Sequence, residues 1–125
     1  REGRGFKSLC PLQIMTDLAK KKCIPCEGNI PPFDQQEIHK YLKKINGWNV
    51  ESNKDSSYFL IKKYSFKNFK DSQDFVNKVS EIAEQENHHP DIFFGWGYCK
   101  VKIFTHAIKG LAESDFILAA KIDNL

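Results

Sequence analysis

A chain of 125 residues, 41% hydrophobic and 28% charged, suits one domain that can bury its own core. Its net charge of +3 is too small to imply direct nucleic-acid binding. No apolar run approaches the roughly 18 residues of a membrane span, and no secretory pattern is visible. The expectation is therefore an intracellular, cytoplasmic protein, with mitochondrion or plastid as the alternative if a targeting segment was removed. Ten Phe predict an aromatic-rich core, while Lys20-Lys21-Lys22, Lys43-Lys44 and Lys62-Lys63 read as solvated surface charge.

Residues 1–33 read as a lead-in rich in Gly, Pro and Cys, with a short helix possible after Thr16. It holds Cys23-Ile24-Pro25-Cys26. A structural zinc site needs a second such pair or a His pair at fixed spacing, which Cys10 and Cys99 do not supply. A redox pair would sit between a strand and a helix. The expectation is an inert turn. Pro31-Pro32 then closes the lead-in, and the domain proper is expected over 34–125.

Helical spacing of Ile38, Tyr41, Leu42 and Ile45 predicts a helix over 33–45, with Asp34 and Glu37 as a capping box and Asn46-Gly47 as its stop. Strands follow from Trp48 and over Tyr58–Ser65, joined by the turn Asn53–Ser56. The longest helix is predicted over 68–86. Its stripe of Phe69, Phe75, Val76, Val79, Ile82 and Ala83 should face a sheet. Ile92-Phe93-Phe94 and Tyr98–Thr105 predict a second hairpin around Gly95-Trp96-Gly97, and a last helix runs from Glu113 to Ile122. Hairpins joined by a helix make an α+β fold: a four-stranded antiparallel sheet with helices packed on one face, in the order α-β-β-α-β-β-α.

His39 lies inside the first helix, with no partner at a usable spacing. His88 and His89 leave a helix end just before Pro90, in the kind of loop that carries catalytic groups. His106 ends a strand after Thr105. Imidazole both gives and takes protons near neutrality. Three His on two loops could therefore converge as an acid/base set, or as three nitrogen ligands for a metal. Residue spacing leaves both readings open. Glu84, one helical turn before His88, and Asp115, in the first turn of the last helix, are candidate carboxylate partners. Asp115 could equally serve helix capping alone.

The run Glu84-x-x-x-His88-His89-Pro90, then Trp96, then Thr105-His106-x-x-x-Gly110-Leu111-x-x-x-Asp115, resembles the signature of the pterin-4a-carbinolamine dehydratases. Gly47-Trp48 and Phe66-Lys67-Asn68-Phe69 match as well. The likeness covers about residues 34–122, and the Lys-Lys-Cys-x-Pro-Cys lead-in is similar to the longer microbial and plant-like members. The resemblance implies a homodimer or homotetramer and metal-free, cofactor-free dehydration of 4a-hydroxytetrahydrobiopterin, within tetrahydrobiopterin recycling beside an aromatic amino-acid hydroxylase. It implies His88 and His106 as proton-transfer residues and His89 as the residue that orients the pterin. Glu84, Asn87, Thr105, Asp115 and Trp48 become substrate or supporting contacts. Two positions depart from the pattern: Ala112 stands where Ser or Thr is usual, removing an N-cap oxygen worth about 1 kcal/mol, and Asn87 stands where Asp is common. Some animal members also act as dimerisation cofactors of a transcription factor, so a binding module is the alternative reading.

Overall fold

The computed structural model describes residues 18–23 and 31–125. Cys10, Cys26 and the predicted helix start at Thr16 lie outside the described residues. Asp34 caps the first helix, α1 (Gln35–Leu42), by accepting from Glu37 N at 2.9 Å. This helix is shorter than the spacing predicts. Lys43 and Lys44 already form a turn, yet Ile45 beyond them is still buried, so the apolar spacing outlasts the helix. The strands β1 (Asn49–Ser52) and β2 (Tyr58–Ser65) form the first hairpin. Asn68 opens α2 (Phe69–Glu86) by accepting from Asp71 N at 2.8 Å. The second hairpin is β3 (Asp91–Gly95) and β4 (Tyr98–Ile103), and α3 (Glu113–Asp123) follows.

All strand pairs are antiparallel and the sheet order is β1-β2-β4-β3. The predicted α+β fold and its element order are therefore observed. Register decides which side chains go inward. Leu60 pairs with Ile103 and Lys62 with Val101, and Ile92 also faces Val101. Partners opposite each other share a sheet face, so Leu60, Val101, Ile103 and Cys99 enter the core. That core lies between the sheet and the helices. Phe116 to Ala120 of α3 are all buried, as expected of a helix that is apolar on all sides. Phe69 departs from its predicted place in the core stripe. It is 45% exposed and meets Phe94 at the sheet's rim, with ring centroids 5.5 Å apart.

The lead-in is not separate from this core. Leu18 is buried in it, and Lys121 Nζ donates to Ala19 O at 2.6 Å. Cys23 N donates to Glu86 Oε1 at 2.9 Å, and the Cys23 thiol lies 3.4 Å from Ser114 O. Burial, with Glu86 nearby, pushes the Cys23 thiol up to about 12, away from thiolate chemistry. Burial also opposes the charge on Glu86, but the Cys23 N–H and the Lys121 ammonium outweigh it and hold that carboxyl below its usual range.

Candidate active site

The loop between α2 and β3 is set by one residue. Asn87 ends α2 in the left-handed region, at φ 51°, a conformation Asn tolerates better than most residues. The chain then turns out of the helix, with His88 N donating to Ala83 O at 3.1 Å. This aims His88 inward and His89 outward. His88 Nε2 lies 2.7 Å from Asp115 Oδ1, with the imidazole mostly covered and the carboxylate wholly buried. A carboxylate can only accept, so Nε2 carries the hydrogen, and in the neutral imidazole Nδ1 keeps its lone pair. His89 Nε2 pairs with Glu84 Oε2 at 2.5 Å, both side chains exposed.

The second loop follows β4. Thr105 and Gly110 exchange backbone hydrogen bonds, Thr105 N to Gly110 O at 2.9 Å and Gly110 N to Thr105 O at 3.3 Å. They pin a short 3-10 turn, His106–Ile108, between them. His106 opens that turn, exposed, with its ring 4.3 Å from that of Phe104. Gly110 is needed for space: a Cβ there would sit 2.6 Å from Pro32 Cβ. Gly110→Ala should therefore push Pro32 away and loosen the loop. The expected cost is about 1–3 kcal/mol, the usual range for overpacking, read as a lower urea midpoint at unchanged m-value.

Asp115 ties the two loops together. Besides His88, it accepts from Thr105 Oγ1 at 2.9 and 3.1 Å and from Ala112 N at 2.8 Å. Helix capping and imidazole pairing were alternatives on sequence grounds; the structure has both. Ala112 supplies no side-chain cap, and the reciprocal half, Asp115 to Ala112 N, carries that helix start alone.

His88, Thr105 and Asp115 are thus in direct contact, with His106 next in chain to Thr105 and His89–Glu84 beside His88. Asn87 is exposed at the helix end. Trp48 is not brought to this cluster. It is buried, with Nε1 donating to Asp123 Oδ2 at 2.9 Å, and Asp123 also accepts from Lys62 Nζ at 2.8 Å and Tyr64 OH at 2.7 Å. Eight residues of α3 separate Asp123 from Asp115, about 12 Å of helix rise. Local sequence pattern carries no signal for that long-range partner. Nor does His39 join; it is exposed on α1. A cleft of about 330 Å³ lined by Phe66, Asp71, Asp74, Phe75, Lys78 and Leu125 contains none of these histidines. Among the described residues, no group of three or more His, Cys, Asp or Glu is placed to hold a metal ion, and no helix is long and apolar enough to cross a membrane.

A family model described as pterin 4 alpha carbinolamine dehydratase matches residues 31–125. A relative from Rubrobacter xylanophilus is 46% identical over 111 residues, covering 89% of this chain and 100% of its own. One from Rickettsia canadensis is 52% identical over 111 residues, covering 88% and 98%. Both carry the provisional name pterin-4-alpha-carbinolamine dehydratase. These alignments are longer than 31–125 and so run into the lead-in. A crystal structure of a transcriptional coactivator/pterin dehydratase from Brucella melitensis matches with TM-score 0.67 and 25% identity, over 74% of this chain and 96% of that one. A pterin dehydratase-like protein identified as a RuBisCO assembly factor shares the fold, at TM-score 0.54 and 20% identity, over 63% and 88%.

Proposed function

The chain belongs to the pterin 4 alpha carbinolamine dehydratase family, and from that premise we propose that it is a hydro-lyase converting 4a-hydroxytetrahydrobiopterin to the quinonoid dihydropterin. In this reaction hydroxide leaves carbon 4a as water after receiving a proton, and N5 gives up its hydrogen. One group must act as acid and another as base. Positioned side chains in such roles are each typically worth 10²–10⁴-fold.

The observation that carries the reading is the buried Asp115 carboxylate, joined to His88 and to the Thr105–His106 loop. It fixes the His88 tautomer so that Nδ1 presents a lone pair, the form a base requires. His88 then takes or returns a proton on one side of the ring, and exposed His106 serves the other. His89, held by Glu84, orients the pterin, and Asn87 borders its binding edge. Thr105 and Asp115 act as positioning residues. Trp48 has no part in this arrangement; its indole braces β1 against α3. None of these roles needs a metal or a cofactor. The same reading expects a homo-oligomer and an aromatic amino-acid hydroxylase as the source of the carbinolamine. The alternative, a binding module for a transcription factor, draws on the family resemblance and on the word coactivator in the name of the Brucella structure; the histidine cluster favours the enzyme.

The direct test generates the 4a-carbinolamine in situ and follows its dehydration spectrophotometrically. Acceleration over the uncatalysed rate, saturable in substrate, is expected. A rate equal to background at micromolar protein would sink the proposal.

A further inference from the structure

The pair at the centre of the site hangs on two helix ends. Glu86 is the last residue of α2, two positions before His88, and Asp115 is the third residue of α3. Helix ends fray, so a hydrogen bond between two of them needs outside support to keep one geometry. Residues 18–23 lie across both ends. Cys23 N donates to Glu86 Oε1 at 2.9 Å, which ties the segment to α2. The Cys23 thiol reaches Ser114 O at 3.4 Å, and Lys21 Nζ donates to Glu113 Oε2 at 3.0 Å, which tie it to the first two residues of α3. Lys121, further along α3, donates to Ala19 O at 2.6 Å and stands 3.6 Å from Glu86 Oε2. Beyond burial and Glu86, the charge of Asp115 itself opposes ionisation of the Cys23 thiol. The segment therefore runs close behind the carboxylate that holds His88.

Glu86 is the unexpected member of this contact. Its side chain is 5% exposed, whereas Glu81 and Glu84 on the same helix are exposed. Burial disfavours a carboxylate. So does its place at the end of α2, where the helix dipole is negative. Two partners hold it there against both effects, the Cys23 N–H and the Lys121 ammonium. A buried ion pair adds little net stability, and its best-attested use is to fix one arrangement against its alternatives.

We propose that Glu86 is a positioning residue of the site: it holds residues 18–23 across the ends of α2 and α3 and so sets the geometry of the His88–Asp115 hydrogen bond. The consequence for turnover rests on the dehydratase reading above; the placement of the imidazole does not. Cys23 spans the gap within a single residue, its amide on Glu86 and its thiol on Ser114. Glu86 is two residues from His88 and Ser114 is next to Asp115, so slack in the clamp passes directly to the pair. A displacement of about 1 Å at a reacting group is enough to lower a rate by roughly 10²-fold.

Two variants push stability and positioning in opposite directions. Glu86→Gln keeps an oxygen for the Cys23 N–H but withdraws the charge facing Lys121. It should melt at a lower urea concentration and keep kcat within about threefold of wild type, since the bond to the segment survives. Glu86→Leu combined with Lys121→Met replaces the ion pair by apolar side chains, a change that is often neutral or stabilising. It removes the hydrogen bonds from both residues to the segment. It should melt above Glu86→Gln yet lose about 10–10²-fold in kcat, with KM nearly unchanged. The His88 ring is read separately by NMR. Its Nε2–H should give one downfield proton resonance in wild type and in Glu86→Gln, and should move upfield or broaden in the apolar double variant. If that double variant does not fold, Glu86→Ala, which also strips the acceptor, is read against Glu86→Gln in the same way. Wild-type kcat with an unmoved His88 resonance in the apolar variant would overturn the positioning role. So would activity losses that follow the urea midpoints and are greatest in Glu86→Gln. Resonance changes as described in a protein that does not turn over the carbinolamine would keep Glu86 as the residue that places His88 and remove only its tie to dehydration.

Discussion

Replacing Asp115 by Asn is expected to leave the protein folded and to lower kcat by roughly 10²–10⁴-fold, the range of a lost acid/base group. The carboxylate accepts from three donors: His88 Nε2, Thr105 Oγ1 and Ala112 N. An amide of the same shape has one acceptor oxygen. If that oxygen stays on Ala112 N, the amide NH₂ faces His88 and can bond only to an unprotonated Nε2. The hydrogen then moves to Nδ1, and the lone pair assigned to the pterin is lost. Stability should fall by about 1–3 kcal/mol, the cost of a spoiled buried hydrogen bond. Asp115→Ala should cost about 3–5 kcal/mol, since it removes the buried acceptor that these three donors share. A purely structural role would show in the melts alone. The deciding readout is the ¹⁵N shift of the His88 ring: an Asn variant that keeps hydrogen on Nε2 and turns over at the wild-type rate would refute the positioning role.

The histidines themselves should divide by environment as well as by activity. His88→Ala and His106→Ala are each expected to cost about 10²–10⁴-fold in kcat, and the double variant should approach the uncatalysed rate. Their stabilities should differ. His88 is mostly covered and its loss removes one partner of a buried carboxylate, so about 1–3 kcal/mol goes with it. His106 is exposed, and its loss should stay within about 0.5 kcal/mol. His89→Ala should raise KM more than it lowers kcat, as expected where binding rather than the transition state is affected. Parallel urea melts and steady-state kinetics separate these outcomes. Full activity in the His88/His106 double variant would end the acid/base assignment.

What the sequence carried was mostly periodic. The stripe along α2 from Phe75 to Ala83, the β-rich run of β2 and β4, and the punctuation at Pro90 and Gly95–Gly97 are local signals, and the structure follows them; the first helix instead ends at Leu42, before Asn46-Gly47. Contacts that depend on distant partners were harder to read. Trp48 stands in a family motif, but nothing near it in the chain indicates Asp123, 75 positions on. Glu86 is closer in sequence to His88 than Glu84 is. It is turned the other way, to Cys23, because successive helix positions do not share a face. The lead-in carries apolar residues, but its prolines and glycines interrupt any regular spacing, so the burial of Leu18 was not legible. Phe69 fits the α2 spacing but falls at the helix's first position, where the sheet beneath it ends. The histidine cluster was legible as residues and as a motif. Its organising contact, one carboxylate serving His88 27 positions away while capping its own helix, was open between two readings because both use the same atoms.

The packing of the lead-in against α3 has a consequence for how the chain folds. The β3–β4 hairpin closes a loop of two residues and can form on a microsecond scale. Lys121 and Ala19, by contrast, are 102 positions apart, and Cys23 and Glu86 are 63 apart. Loop-closure entropy delays such contacts until the intervening chain is already ordered. The segment 18–23 should therefore dock last and release first, as a local opening well below the global unfolding energy. In hydrogen exchange, the Cys23 amide would lose protection while Val101 and Ile103 in the sheet remain closed. The last layer to close would then be the one lying behind Asp115, and the histidine loop would acquire its final rigidity only as folding ends.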